Sequence, residues 1–184
     1  MVRSAAGVWT RDGAAWRKVR PLLGQTMSLA VTPTWYRYYV ARRRFIFLDL
    51  DGVLRPFHSE EMLVPECVER LNRLVEVTGA EVIITSSWRA QLTLEKILAE
   101  MRAVGFRHEL GGETPILLGQ PRGVEIRAFL EQAGVVPFVI LDDEIDMDAE
   151  LRKQLVLVDD AVGLQEADVD EALTVLDGGL LTIT

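Results

Sequence analysis

The sequence has few of the residues that build disulfide frameworks and zinc centres. Its 184 residues include one cysteine, Cys67, and two histidines, His58 and His108. A single cysteine forms no disulfide within the chain, and the absence of a His/Cys cluster disfavours zinc. No apolar run approaches the roughly 20 residues that span a bilayer, and no secretion signal is recognisable. We therefore expect a cytoplasmic protein that does not contact a membrane.

Positive charge is also scarce, except at the start of the chain. Of the 20 Lys and Arg residues and the 28 Asp and Glu residues, residues 1–44 hold nine basic residues and a single acid, Asp12. Residues 45–184 therefore form an acidic body, which repels polyanions at long range. Because residues 1–44 show no sustained hydrophobic period, we predict a basic N-terminal extension that is poorly defined or disordered. An extra packed helix and an arm that contacts nucleic acid are the alternatives.

Short apolar runs alternate with helical patterns after residue 44. The runs at 45–48, 82–84, 138–141 and 155–158 are typical of buried strands. Amphipathic helices are predicted from Pro65 to the residue before Gly79, and over 94–104, 124–133 and 169–176. A loop rich in Gly and Pro is predicted over 111–123. This alternation predicts an α/β fold, a Rossmann-like three-layer sandwich with a mostly parallel central sheet flanked by helices.

Polar side chains follow three of these predicted strands. They are Asp49 and Asp51 after the first strand, Thr85 and Ser86 after the second, and Asp142 and Asp143 after the third. The carboxyl ends of parallel strands line one crevice, so we expect these groups to converge. Carboxylates crowded at one place need a cation, and hard oxygen ligands select Mg²⁺.

The aspartates after the first strand have the spacing of a two-step phosphoryl-transfer pair. Residues i and i+2 after a strand can both reach the crevice, and Gly52 lets the backbone turn sharply beside them. One carboxylate would coordinate the metal and attack phosphorus. The other would protonate the leaving oxygen and then deprotonate water. The alternative is structural: one aspartate caps a helix and the other belongs to a turn.

The segment FIFLDLDGVL, which begins at residue 45, resembles the first motif of the haloacid dehalogenase (HAD) superfamily. The resemblance implies that Asp49 is the nucleophile, which forms an aspartyl phosphate, and that Asp51 is the general acid/base. It also implies that both residues help to hold Mg²⁺, Asp51 through its backbone carbonyl. Because the second aspartate is present, phosphatase or phosphotransferase chemistry is expected rather than dehalogenation.

Three further segments fit the remaining motifs of the superfamily. VIITSSWR resembles the second motif and implies that Thr85, or else Ser86, binds the phosphoryl group. The third motif requires a Lys or Arg beside the phosphoaspartate, and Arg122 is the candidate. FVILDDEID resembles the fourth motif and implies that Asp142 and Asp143 hold the metal, directly or through water.

Trp88 and Arg89 extend the second motif towards a subgroup that resembles HAD domains of nucleic-acid repair proteins. Two roles remain open for Arg89: contact with a substrate phosphate, or a surface salt bridge. The intervals between the motifs are too short for a folded cap domain. An open site of this kind is associated in the superfamily with large substrates, such as phosphoproteins or nucleic-acid ends.

The resemblance covers about residues 45–177 and implies a Mg²⁺-dependent phosphohydrolase that acts on phosphomonoesters of unknown identity. The predicted organisation is a basic extension over 1–44 and a HAD-like hydrolase domain over 45–184. One alternative is a nucleic-acid end-processing phosphatase assisted by the basic extension. The other is a non-catalytic HAD-like domain with a regulatory or binding role.

Overall fold

The computed structural model describes residues 43–134 and 136–178, together with the backbone of residues 2–4, 7–12 and 15–19. The chain divides into two units, Met1–Thr32 and Pro33–Thr184. Residues 20–42 lie outside the described part of the chain. The boundary predicted at residue 44 and the poorly defined extension before it therefore stay predictions.

Three short strands form an antiparallel sheet in the first unit. They are β1 (Val2–Ser4), β2 (Gly7–Asp12) and β3 (Ala15–Val19), in the order β1-β2-β3. In the sequence, β2 ends on the first residue of an Asp-Gly dipeptide, which favours tight hairpin turns. Residues 1–44 lack a long hydrophobic period, so only this short turn signal could have predicted the sheet.

The second unit is built on a sheet of five parallel strands. They are β4 (Phe45–Leu48), β5 (Glu81–Ile84), β6 (Leu110–Glu113), β7 (Phe138–Asp142) and β8 (Leu155–Leu157). Their order across the sheet is β6-β5-β4-β7-β8. The three middle strands are buried on both faces, which is why each of them reads as a continuous apolar run.

The loop predicted over 111–123 is wrong at its start, because β6 pairs with β5 at the edge of the sheet. The sequence of β6 is LGGE, and its residues alternate between half-buried and exposed. An edge strand of this kind does not need a continuous apolar run, so no such run marks it in the sequence. A Cβ at Gly111 would lie 2.8 Å from the Cβ of Glu81 and 3.0 Å from Cδ1 of Ile83. Glycine is therefore required here by the close approach of the two strands, although glycines in sequence favour a loop.

In the part of the chain that the structure describes, four α-helices cover the two faces of the sheet. They are α1 (Pro65–Thr78), α2 (Leu94–Ala103), α3 (Arg122–Ala133) and α4 (Glu166–Gly178). Helices α1, α2 and α4 pack on one face through residues such as Leu71, Met101 and Val169. Helix α3 packs on the other face, where Phe129 contacts Phe47 edge to face. The predicted three-layer α/β fold is thereby confirmed, and within the described ranges no helix is both long and apolar enough to cross a membrane.

The register of the central strands brings their ends to the same level. Leu48 of β4 pairs with Ile84 of β5 and with Leu141 of β7. The residues that follow these positions therefore lie side by side at the carboxyl edge of the sheet. Between β4 and β5 the only regular helix is α1, so no folded cap is inserted there.

Candidate active site

Asp49 is the first residue after β4, at the centre of the sheet. Its backbone N–H donates to the carbonyl of Leu141 at 3.0 Å, which continues the ladder one residue beyond the strand. The residue is only 4% exposed. Its Oδ1 accepts a hydrogen bond from the N–H of Leu50 at 2.7 Å, and its Oδ2 accepts one from Arg122. Both oxygens of the carboxylate are therefore oriented by the protein.

Arg122 joins carboxylates at the carboxyl ends of two neighbouring strands, β4 and β7. It is the first residue of α3, and its Nη1 donates to Oδ2 of Asp49 and, at 2.7 Å, to Oδ2 of Asp142. The backbone N–H of Arg122 donates to Asp146 Oδ2 at 3.2 Å, which helps to fix the start of the helix. The helix begins two residues before its predicted start at 124, and this places the guanidinium between the two aspartates.

The crowding of these groups changes their pKa values. Burial raises the pKa of Asp142 to about 7, while Arg122 opposes the rise and Asp49 adds to it. Burial also raises the pKa of Asp143, with a further contribution from the charge of Asp49. Burial alone would lower the pKa of Arg122, but Asp49 and Asp142 outweigh it and hold the pKa above its usual range. One guanidinium therefore does not fully compensate the clustered carboxylates.

The same carboxylates fit a hard divalent cation. Asp49, Asp142 and Asp143 offer oxygens that all lie within 4.8 Å of one another. An all-oxygen donor set is the kind that Mg²⁺ selects, and a bound cation would stabilise the ionised carboxylates that burial disfavours. Asp51, the fourth predicted ligand, is not part of this carboxylate group, in keeping with the backbone-carbonyl role that the resemblance implies.

Gly52 lets the loop after β4 pass directly against the Asp143 carboxylate. Its φ of +73° lies in the left-handed region, and a Cβ at this position would overlap the carboxylate of Asp143. Both the backbone conformation and the close approach therefore require glycine. The spacing Asp-x-Asp-Gly is thus linked to the position of a residue more than 90 positions later.

Thr85 and Ser86, the two candidates for phosphate binding, differ in how their hydroxyls are used. The backbone N–H of Thr85 donates to the carbonyl of Leu48 at 2.9 Å, and the residue is 1% exposed. Its Oγ1 has no hydrogen-bond partner among the described residues. Ser86 Oγ instead accepts from the N–H of Trp88 at 3.4 Å and starts a short 3₁₀ helix. Of the two hydroxyls, that of Thr85 is therefore the one without a partner among the described residues, and it is buried.

A cleft of about 250 Å³ lies beside these residues. Thr85, Ser86 and Arg122 line it together, so the three predicted phosphate-binding residues share one cavity. The segment 116–120 forms another part of its lining, and Leu118 in that segment is 91% exposed.

Asp51 lies at the rim of the site with its carboxylate held from two sides. Its Oδ2 accepts a hydrogen bond from Nε1 of Trp88 at 2.9 Å. Its Oδ1 accepts one from Nη1 of Arg55 at 3.1 Å. Asp51 is half-buried, whereas Asp49 is buried, so the two aspartates of the pair have different access to solvent.

Residues 45–169 match the family model for the HAD domain in Swiss Army Knife RNA repair proteins. The match covers more than half of the 184 residues. The chain belongs to this HAD family. No curated protein and no solved structure matches it. The resemblance to the HAD superfamily is confirmed, and membership relates the chain to a superfamily of hydrolases that includes phosphatases.

Arg89 of this HAD domain forms a buried ion pair. Its side chain is 4% exposed, and its Nη2 lies 2.8 Å from Oε2 of Glu125, a residue of α3. The guanidinium also donates to the carbonyls of Thr85 and Ser86 and to both oxygens of Thr114. The salt bridge that the sequence left open therefore exists, but it is buried and not at the surface. It connects the turn after β5 to the helix that carries Arg122.

Sequence reasoning missed two further residues that shape the HAD site, Trp88 and Glu125. Trp88 was assigned to the second motif without a role, yet it contacts the Asp51 carboxylate. Glu125 was unremarked, yet it is 8% exposed and its Oε1 accepts from the N–H of Leu117 at 2.8 Å. A signal for Glu125 was present, because an acid directly before Ile126 on the buried face of α3 needs a partner.

Proposed function

We propose that this protein is a Mg²⁺-dependent phosphohydrolase that hydrolyses phosphomonoesters through an aspartyl phosphate on Asp49. One observation carries the proposal: Nη1 of Arg122 hydrogen-bonds to Asp49 and Asp142 together, beside Asp143, and Arg122 lines one cleft with Thr85, whose buried hydroxyl has no partner among the described residues. The proposed nucleophile, a guanidinium group and a hydroxyl that can donate a hydrogen bond to phosphate therefore belong to one site. No such grouping is needed for a helix cap or a turn.

In the first half of the reaction, Asp49 attacks phosphorus and a bond forms between a carboxylate oxygen and the phosphoryl group. The bond from phosphorus to the leaving oxygen breaks, and Asp51 donates a proton to that oxygen. In the second half, Asp51 removes a proton from water. The water oxygen then bonds to phosphorus and the bond to Asp49 breaks, which releases inorganic phosphate and restores both carboxyl groups.

Arg122 and Thr85 would hold the phosphoryl oxygens during both steps, with Ser86 as the neighbouring donor. A guanidinium and a hydroxyl donate to phosphate oxygens in fixed directions, and donors in place before the reaction need no reorganisation. Mg²⁺, held by Asp49, Asp142, Asp143 and the carbonyl of Asp51, would supply charge neutralisation at the phosphoryl group. The buried carboxylates with raised pKa values support such a cation.

The nucleophile is tested with a matched pair of Asp→Asn variants. Wild-type protein with Mg²⁺ should hydrolyse p-nitrophenyl phosphate, and Asp49→Asn should lower kcat by about 100-fold or more. Asp159 also follows an apolar strand, but its Oδ1 only accepts from the N–H of Ala161 in an exposed turn. Asp159→Asn should therefore keep wild-type turnover. Equal turnover by Asp49→Asn and wild type would overturn the nucleophile assignment.

Removal of the metal tests the cofactor in the same assay. EDTA should abolish turnover, and Mg²⁺ in excess should restore it. If a broad set of phosphate esters gives no metal-dependent turnover, the alternative of a non-catalytic HAD-like regulatory or binding domain replaces the phosphohydrolase.

A second candidate function is the processing of phosphorylated nucleic-acid ends. It is favoured by the description of the matched family, HAD domains of RNA repair proteins, and by the basic residues before residue 45. Under this proposal residues 1–44 are a basic extension that holds the polyanion, and residues 45–184 are the hydrolase domain. The absence of an inserted cap between β4 and β5 would leave room for a large substrate. We also propose a cytoplasmic location, where the buried Cys67 would stay reduced.

This second function predicts a salt-dependent contribution of the extension. Seven Lys and Arg residues precede Arg43, and their replacement by Gln removes charge without shortening the chain. Turnover of a 3′- or 5′-phosphorylated oligonucleotide should fall at low salt, because fewer counterions are released on binding. Turnover of p-nitrophenyl phosphate should not change. Equal effects on both substrates would exclude a role of the extension in nucleic-acid binding.

A further inference from the structure

The Asp51 carboxylate is held by two donors of different kinds. Nε1 of Trp88 donates to Oδ2 at 2.9 Å, and Nη1 of Arg55 donates to Oδ1 at 3.1 Å. Arg55 is four residues from Asp51 and its side chain is 45% exposed, so its hold on the carboxylate is weak. Trp88 comes from the turn after β5. It therefore connects the proposed acid/base to the strand end that carries the phosphate-binding residues.

The indole of Trp88 is itself fixed by the fold. Trp88 belongs to the 3₁₀ helix Ser87–Ala90, and its backbone N–H donates to Ser86 Oγ. The carbonyl of Trp88 accepts from the N–H groups of Gln91 at 3.0 Å and Leu92 at 2.8 Å. Its side chain is half-buried and packs against the hydrophobic core. A side chain held in this way presents its N–H in one direction and loses little conformational entropy when Asp51 binds it.

The indole N–H also has a chemical property that suits this position. It donates only, and it neither gains nor loses a proton in the range where enzymes work. The bond to Asp51 therefore persists in direction while the carboxyl group gains and loses its proton. Because the indole N–H engages a lone pair of Oδ2, the proton of the acid form is directed to the other oxygen, Oδ1.

We infer that Trp88 is a positioning residue for the acid/base step: it holds the plane of the Asp51 carboxyl group and directs the transferable proton to Oδ1. This inference rests on the proposed function. Arg55, which also contacts Oδ1, is exposed and can withdraw when that oxygen is protonated. Trp88 does not touch the reacting atoms, so its effect on the reaction passes through Asp51.

The test compares two esters that differ in their need for a proton. p-Nitrophenolate leaves phosphorus as a stable anion, whereas the alkoxide of glycerol phosphate must be protonated as it leaves. In Trp88→Phe, which removes the N–H and keeps a ring, the first-turnover release of glycerol should fall by about 10- to 100-fold, which is at or below the lower end of a full acid/base contribution because Asp51 itself remains. The first-turnover release of p-nitrophenol should fall by less than about 3-fold, because that step needs no acid.

Leu92→Ala is the matched control for lost packing. Leu92 packs against the same core beside Trp88, and no contact with Asp51 is seen for it among the described residues. If the role of Trp88 is only structural, each of the two variants, Trp88→Phe and Leu92→Ala, should lower the first-turnover release of glycerol and of p-nitrophenol by the same factor. The inference would be overturned if Trp88→Phe lowered the release from both esters by the same factor. It would also be overturned if Leu92→Ala lowered the release from one ester more than from the other.

A second measurement decides the case if Trp88→Phe fails to fold. The indole N–H resonance of Trp88, assigned through its own side-chain carbons, should move upfield and exchange faster with solvent in Asp51→Ala. An unchanged resonance would overturn the contact and with it the inference. If wild-type protein releases neither alcohol nor phenol with Mg²⁺, the proposed function fails instead, and the resonance still reports separately on the Trp88–Asp51 bond.

Discussion

Replacement of Arg89 by Met should lower the unfolding free energy of the HAD domain more than a surface substitution does. The change leaves the carboxylate of the mostly buried Glu125 side chain with the N–H of Leu117 as its remaining partner. It also removes the donor from the carbonyls of Thr85 and Ser86, which lie 2.5 Å and 2.8 Å from the guanidinium nitrogens. Breaking a buried ion pair by removing one partner costs about 3–5 kcal/mol.

The assay is denaturation by urea at pH 7, monitored by circular dichroism. At an m-value of about 2 kcal/mol/M, a loss of about 3–5 kcal/mol would shift the midpoint by about 2 M. Arg102→Met is the control, because Arg102 pairs with Glu109 at the surface, where the side chains are 48% and 79% exposed. Such a pair contributes about 0–1 kcal/mol, so the midpoint should change by less than about 0.5 M.

A double variant separates the charge from the packing. In Arg89→Met with Glu125→Gln, no uncompensated charge remains, and the amide oxygen can still accept from Leu117. The double variant should therefore be more stable than the sum of the two single effects by about 2 kcal/mol. Strictly additive effects, or an Arg89→Met cost below about 1 kcal/mol, would refute the view that this pair ties β5 to α3.

Three further predictions concern the metal and phosphate sites. Gly52→Ala should weaken Mg²⁺ binding, measured by calorimetry, by about 10-fold or more, because the new Cβ displaces Asp143. Gly79→Ala is the control: its φ is +64° and nothing lies within 4 Å of a Cβ there, so the variant should lose stability but keep its Mg²⁺ affinity. Without metal, the contribution of Asp142 to the unfolding free energy should be greatest below about pH 4 and should fall by up to about 1.4 kcal/mol per pH unit towards pH 7, because the folded pKa of Asp142 is raised to about 7 and the folded state binds the extra proton. The difference in unfolding free energy between wild type and Asp142→Asn should therefore fall over this range, and a difference that does not change with pH would contradict the assignment. Thr85→Val should leave the unfolding free energy unchanged or raise it by about 1 kcal/mol, because Oγ1 of Thr85 has no partner among the described residues. Phosphate-ester turnover should fall in the same variant. A loss of stability would show that this hydroxyl has a structural partner.

The sheet and the grouping of the strand-end residues could be predicted from sequence because both depend on local patterns. Continuous apolar runs specify buried parallel strands, and parallel strands place the residues after them at one edge. Asp49, Thr85 and Asp142 follow such runs directly, and the register of β4 with its neighbours aligns them. Arg122 was accessible only through the family resemblance, since nothing in the pattern of α3 distinguishes it from an exposed arginine.

The contacts that orient the site could not be predicted because they join residues with no common pattern. Trp88 and Asp51 are 37 positions apart, and Arg89 and Glu125 are 36 positions apart. Gly111 was misleading for a related reason, since its role is the close approach of β6 to β5. Partners of this kind depend on which strands become neighbours, and the order of the strands cannot be predicted from any single segment of the sequence.

The strand order also explains why the carboxylates of the site lie close enough together to hold a cation. Neighbouring strands lie about 4.8 Å apart, so the backbone keeps the aspartates at the carboxyl ends of β4 and β7 near one another. The oxygens of Asp49, Asp142 and Asp143 accordingly lie within 4.8 Å of one another, and Arg122 supplies a single positive charge. In the unfolded chain Asp49 is far from Asp142 and Asp143, so its repulsion with them destabilises the native state relative to the unfolded state. Bound Mg²⁺ would remove that repulsion and stabilise the fold by about 2.7 kcal/mol at a concentration of 100 Kd, so binding at the site and stability of the domain are expected to rise together.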